Sequence, residues 1–325
     1  MTLVNKYAGT CAACKGLVAA EAGTRANVDG AWQTYHHECA PEWKPERPAA
    51  EGAAGPGAAP GQGAGHGAGQ GSGHSSGHGA GHGPAPVPPQ RGAHDGWHRR
   101  RLAGFDTETT GRDPRTVRIV SAALVASDGT EKRFLIDPGV EIPAEATAIH
   151  GITTEYARAH GTAPRETLDQ IADTLAAELR AGTPLVVFNA PYDLTLLEAE
   201  LARHGLTPLA ARAPVAPVID PLVIDRQMDK FRRGARTLEA QCQFYGVTIT
   251  HAHDAAADAL AALNLAQVIG ASYAAVGTLD AVRLHEAQAR WKAEQEADRA
   301  AYRERRGEKS YAEPEWPTRP LATSA

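Results

Sequence analysis

At 325 residues, 42% of them hydrophobic and 22% charged, the chain has the composition of one or two globular domains. A formal net charge of −5 excludes a uniformly basic surface, so any nucleic-acid contact has to come from local basic patches or from bound metal. The sequence reads as free of a long apolar run and of a basic-then-apolar leader, which makes the cytoplasm the expected location and leaves no membrane partner.

Residues 1–45 are expected to form a small zinc-binding module. Three of the four cysteines lie here, and C-A-A-C followed after 21 residues by H-H-E-C sets out Cys11, Cys14, His36 and Cys39 as soft and borderline donors for tetrahedral Zn²⁺. His37 competes with His36, and a redox CxxC is the alternative, although no βαβ pattern accompanies it. So short a segment buries too little apolar surface to fold unaided, which gives a metal staple a physical purpose. Residues 46–96 read as a flexible tether. Between Glu51 and Gln90 lie 14 of the 33 glycines and four histidines, with Val87 the only branched apolar residue.

Residues 97–272 carry the pattern of an α/β domain. Strands are expected over 100–109, 117–127 and 132–138, joined by short connections as an antiparallel meander. A helix over 165–180, a strand over 184–190 and helices near 193–204, 221–230, 236–246 and 254–271 complete a mixed sheet flanked by helices. Residues 273–325 form a helical extension and tail, with Leu284, Trp291 and Tyr302 on one stripe.

Within the first strand, Asp106 and Glu108 alternate onto one face a few ångströms apart. Like charges so close raise each other's pKa unless a cation lies between them, so a divalent metal at the end of a central strand is the simplest reconciliation. Further oxygen donors follow. Asp193 begins a helix, where it also suits the dipole, and Asp258 lies five residues after His253 in a helix whose alanines allow close approach to the sheet.

In order, these segments resemble the histidine subclass of the DEDD superfamily (DEDDh) of 3′→5′ exonucleases, a family that includes the proofreading epsilon subunit of bacterial DNA polymerase III. DxETTG matches at Asp106, Glu108, Thr109, Thr110 and Gly111; NAxxD at Asn189, Ala190 and Asp193; HxAxxDA at His253, Ala255, Asp258 and Ala259; and IHGIT spans 149–153. The resemblance implies a ribonuclease H-like mixed sheet and two Mg²⁺ or Mn²⁺ ions, with Asp106 bridging both, Glu108 and Asp258 completing one and Asp193 holding the other. It implies His253 as general base, with His251 a rival that breaks the family spacing. Thr109, Thr110, Ile149, His150 and Asn189 are the implied substrate contacts.

The expected partner is nucleic acid, with DNA favoured by the TTG and IHGIT wording and RNA possible; no polymerase or repair partner can be read. A phosphatase of the haloacid dehalogenase type would need Asp in place of Glu108. An exoribonuclease acting on short RNA and a non-catalytic adaptor remain as alternatives. Two basic clusters, Arg99 to Arg101 and Lys230 with Arg232, Arg233 and Arg236, are candidates for phosphate contact or for an ordinary solvated surface.

Overall fold

The computed structural model describes residues 88–321 apart from 251, 310 and 311, together with short stretches between residues 2 and 36. Two units divide the chain, Met1–Gly83 and Pro84–Ala325. In the first, β1 (Thr2–Val4), β4 (Gly23–Val28) and β5 (Ala31–His36) form an antiparallel sheet in the order β1-β4-β5, and β2 (Gly9–Thr10) pairs with β3 (Leu17–Val18). Cys11 is buried directly after β2, and His36 ends β5. Cys14, His37 and Cys39 lie outside the described residues, as do residues 46–87 of the tether and His251.

The second unit is built on a five-stranded sheet in the order β10-β9-β6-β7-β8. Its first three strands by sequence, β6 (Ala103–Thr109), β7 (Ile119–Ala126) and β8 (Glu131–Leu135), make the expected antiparallel meander. The two-residue strands β9 (Leu185–Val186) and β10 (Val218–Ile219) add in parallel on the other side, so the sheet is mixed and β6 is its centre. The strand expected over 184–190 is therefore much shorter. After Val187 the chain turns away, and the N–H groups of Asn189 and Ala190 go to a side chain instead of a ladder.

Two layers of helices cover the sheet. After α1 (Ala144–His150) and α2 (Thr154–His160), the long α3 (Pro164–Arg180) and α4 (Asp193–Arg203) bury leucines against the face that carries Ala103 and Phe105, with short α5 (Leu209–Arg212) beside them. On the opposite face lie α6 (Pro221–Met228), α7 (Leu238–Tyr245), α8 (Ala255–Ser272) and α9 (Ala274–Gly277). Side-chain caps start several of these helices: Asp220 accepts from Leu222 N, Thr237 from Ala240 N and Asp254 from Ala257 N.

α8 is long and apolar enough by length and composition to cross a bilayer, a property the sequence reading did not credit to any segment. Its apolarity follows from burial, because Ala255, Ala256 and Ala259 pack on Ala123 and Val125 while Leu263, Leu265 and Ile269 enter the second core. The close approach depends on Gly104, where an added Cβ would fall 2.3 Å from the Ala259 carbonyl oxygen.

The extension forms α10 (Ala281–Arg305), capped by Asp280 and docked beside β10 and α6. Leu284 is buried and Trp291 packs at the core edge, whereas Tyr302 is exposed and turns to Arg306, so the apolar stripe stops near Trp291. Polar contacts also dock this helix: Gln288 donates to the Val218 carbonyl and Gln295 to the Val223 carbonyl. The segment at 312–321 then crosses to α4, where the backbone N–H of Arg319 donates to Thr195 Oγ1 at 2.8 Å.

Candidate active site

The carboxyl end of β6 places Asp106 and Glu108 on the face covered by α8, one alternation beyond Gly104. Because α8 is drawn onto that glycine, Asp258 in its first turn comes against them, and ligand atoms of Glu108, Asp258 and His253 lie within 4.8 Å of one another. Asp193 arrives from the other layer, at the first position of α4. Thr107, projecting to that layer, donates to Asp193 Oδ1 at 2.5 Å. The acids expected from three distant segments thus meet at one strand end.

The electrostatics are those of four carboxyl groups crowded together and largely withdrawn from solvent. Burial, then Asp193, Asp258 and Glu108, pushes Asp106 well above the usual carboxylate range. Glu108 is raised to about 8 by burial and by Asp258, and Asp193 to about 7 by burial against the opposing hydrogen bond from Thr107. Asp258 rises to about 6, again through burial, although it accepts the backbone N–H of His253 at 3.0 Å.

Among the described residues no lysine or arginine reaches ion-pair distance of any of the four; nearby cations close on other acids, Arg232 and Arg236 on Asp225 and Lys292 on Glu296. Asp258 Oδ1 is buried without a hydrogen-bond partner. Hard oxygen donors, mutual repulsion and an orphaned oxygen fit a small divalent cation better than any side chain present.

His253 occupies left-handed backbone (φ 68°), which turns its ring outward next to the acids. The imidazole is 44% exposed, and Glu239 Oε1 lies 3.7 Å from Nε2, too long for a hydrogen bond. Asn189 is likewise left-handed, at φ 61°. Its N–H donates to Asp220 Oδ1 at 2.9 Å, and the N–H of Ala190 to Oδ2 at 3.0 Å, so one wholly buried carboxylate shapes the NAxxD corner while capping α6.

Thr109, Thr110, Ile149 and His150 line a cleft of about 230 Å³ that shares Glu108 with the acidic site. Asn189 lies instead in the larger cleft of about 650 Å³ that contains all four acids and His253. Tyr192 joins two motifs: its hydroxyl donates to the Gly111 carbonyl at 2.6 Å and lies 2.9 Å from Thr109 Oγ1. Burial raises this phenol to about 12, so it stays a neutral donor.

Sequence reasoning missed Asp220, Thr107 and Glu239. Only Asp220 left a signal, an Asp-Pro pair at a helix start, which announces a cap and not a brace for a segment 30 residues earlier. The basic clusters also read differently in three dimensions. Arg99 pairs with Asp95 and Arg101 with Asp128 at the amino end of β6, away from the acids, and Lys230 pairs with Asp298.

An acidic group and an imidazole at the end of the central strand of a mixed sheet have the makings of a metal-assisted hydrolytic site. The family model described as Exonuclease matches residues 103–266, and the chain belongs to this family of DnaQ-like exonucleases. It is 32% identical over 149 residues to the DNA polymerase III subunit epsilon of Rickettsia conorii, covering 44% of this chain and 61% of that protein. Over 161 residues it is 30% identical to the PolC-type DNA polymerase III of Streptococcus thermophilus, covering 48% of this chain and 10% of that one. The chain therefore spans about three fifths or less of the curated relatives it matches. Among solved structures, E. coli exonuclease I in complex with a dT13 oligonucleotide aligns with a TM-score of 0.48 and 20% identity over 55% of this chain and 43% of that one.

Proposed function

We propose that the chain is a metal-dependent 3′→5′ exonuclease that hydrolyses single-stranded or frayed DNA. The observation that carries this reading is the convergence of Asp106, Glu108, Asp193 and Asp258, with no lysine or arginine partner among the described residues, beside His253. The DNA polymerase subunits among the relatives favour DNA over RNA.

Asp106, Glu108 and Asp258 would hold one Mg²⁺ or Mn²⁺, and Asp106 with Asp193 a second. Bound there, such ions supply charge at the scissile phosphate and an acidified water. The remaining work belongs to the chain. Thr107 fixes the Asp193 oxygens, and Asp220 fixes the corner that delivers them. The cleft at Thr109, Thr110, Ile149 and His150 receives the terminal nucleotide, with Tyr192 keeping the Thr109 loop closed. The exposed His253 ring takes the proton from the attacking water, and Glu239 steadies the imidazolium that results.

Incubation of 3′-labelled DNA and RNA oligomers with Mg²⁺ tests the reading. Release of mononucleotides from the 3′ end, abolished by Asp106→Ala and by EDTA, is expected, with faster release from DNA. Binding without release would instead identify an inert adaptor.

A further inference from the structure

The larger cleft has a second wall that lies outside the family match at 103–266 apart from Arg226: α10 contributes Lys292, Glu296 and Arg299, the segment after it Glu313 and Arg319, and α6 contributes Arg226. Lys292 and Glu296 form a buried pair at 2.8 Å, and Arg299 approaches the same carboxylate at 3.4 Å, so two cations share one anion. Arg226 is half-buried and makes no hydrogen bond or ion pair among the described residues. Burial first, and then neighbouring Arg299, weaken its hold on its proton. Arg319 pairs with Glu313 at 3.1 Å yet leaves its Nε buried without an acceptor.

A half-buried guanidinium without a partner beside a second one, as Arg226 is beside Arg299, is costly to keep unless an anion joins them. Their planar donor forks match phosphate oxygens. Seven carboxylates and four Lys or Arg side chains line this cleft, so alone it repels a polyanion, and two dications at the acidic quartet would turn it slightly positive. The cationic wall then decides where the phosphates run.

We propose that Arg226, Arg299 and Arg319 bind the phosphates of the substrate strand on the 5′ side of the scissile bond, making α10 and its following segment a guide for the strand. This rests on the exonuclease reading of the same cleft. It assigns the extension a place in substrate binding and gives the fold's cations a division of labour: Arg232 and Arg236 hold structure, whereas Arg226 and Arg299 hold substrate.

The test uses the full chain and a labelled single-stranded oligonucleotide of about 12 nucleotides, with anisotropy read in Ca²⁺ between about 50 and 200 mM salt. The double variant Arg226→Gln/Arg299→Gln is expected to bind about tenfold or more weakly, and its salt slope to fall by about 1 to 1.5, as for two lost phosphate contacts. Lysine at both positions keeps the slope but recovers only part of the affinity, because the fork is lost. Arg299→Gln alone, at a position 42% exposed, guards against misfolding and should remove about half of the slope change. Unchanged affinity and slope in folded variants, or a wild type that does not bind the oligonucleotide, would overturn the proposal. A wild type that binds with a steep salt slope yet releases no mononucleotide overturns the exonuclease reading and leaves the strand guide intact.

Discussion

The side-chain oxygen of Gln288 accepts the backbone N–H of Asp220 at 2.7 Å, linking α10 to the carboxylate that shapes the NAxxD corner. Trp316 Nε1 approaches the same carboxylate at 3.4 Å from the segment after α10. Asp220→Asn puts a donor where backbone N–H groups now find an acceptor. It should destabilise the protein by about 1–3 kcal/mol and weaken Mn²⁺ binding about 10–100-fold, as read by denaturant unfolding and calorimetric titration.

Thr107 acts closer to the acids. With Thr107→Val the 2.5 Å hydrogen bond to Asp193 disappears, and with it the strongest contact that opposes burial and pulls this carboxyl down. The expected result is metal affinity lowered about tenfold at neutral pH, with the loss shrinking as pH rises and Asp193 ionises regardless. Metal titrations at pH 6 and pH 8 check it.

The quartet makes the metal-free protein sensitive to pH in a defined direction. Glu108, Asp193 and Asp258 are raised to about 8, 7 and 6, above the value of about 4 that carboxylates have in an unfolded chain. Between those limits the folded state binds more protons than the unfolded one, so these groups lower stability as pH rises from about 4 to about 8. Thermal midpoints in EDTA should therefore fall across that window relative to Glu108→Gln. Added Mg²⁺ should raise them far more at pH 8 than at pH 5, because it binds the ionised form.

Asp225 offers a prediction about stability alone. It is wholly buried and receives Arg232 and Arg236, each at 2.5 Å, and the Tyr245 hydroxyl at 2.8 Å. Asp225→Ala leaves Arg236 without a counter-charge and Arg232 with Asp229 alone, and should cost about 3–5 kcal/mol, measured by urea unfolding. Phe231, 89% exposed on the same loop, should tolerate Phe231→Ser within about 0.5 kcal/mol.

The acidic segments were legible because each couples a local rule to a charge: alternation on β6, a helix start at Asp193, small residues around Asp258. The meander was legible for a similar reason, since its strands are long and its turns short. What escaped was made by long-range geometry. Asp220 looks like any cap until its carboxylate is found reaching back to Asn189. β10 has two residues, too few for a periodicity. The basic run at 230–236 suggested phosphate contact, but Arg232 and Arg236 serve Asp225, and the cations that line the cleft are scattered over α6, α10 and the segment beyond.

The bond from Gln288 to Asp220 also bears on biosynthesis. Residues 281–321 leave the ribosome after every acid of the quartet has been made, yet the corner that presents Asp193 gains its last supports only from them. A nascent or prematurely terminated chain therefore carries all four acids before the carboxylate that braces the Asn189 corner has its contacts from Gln288 and Trp316.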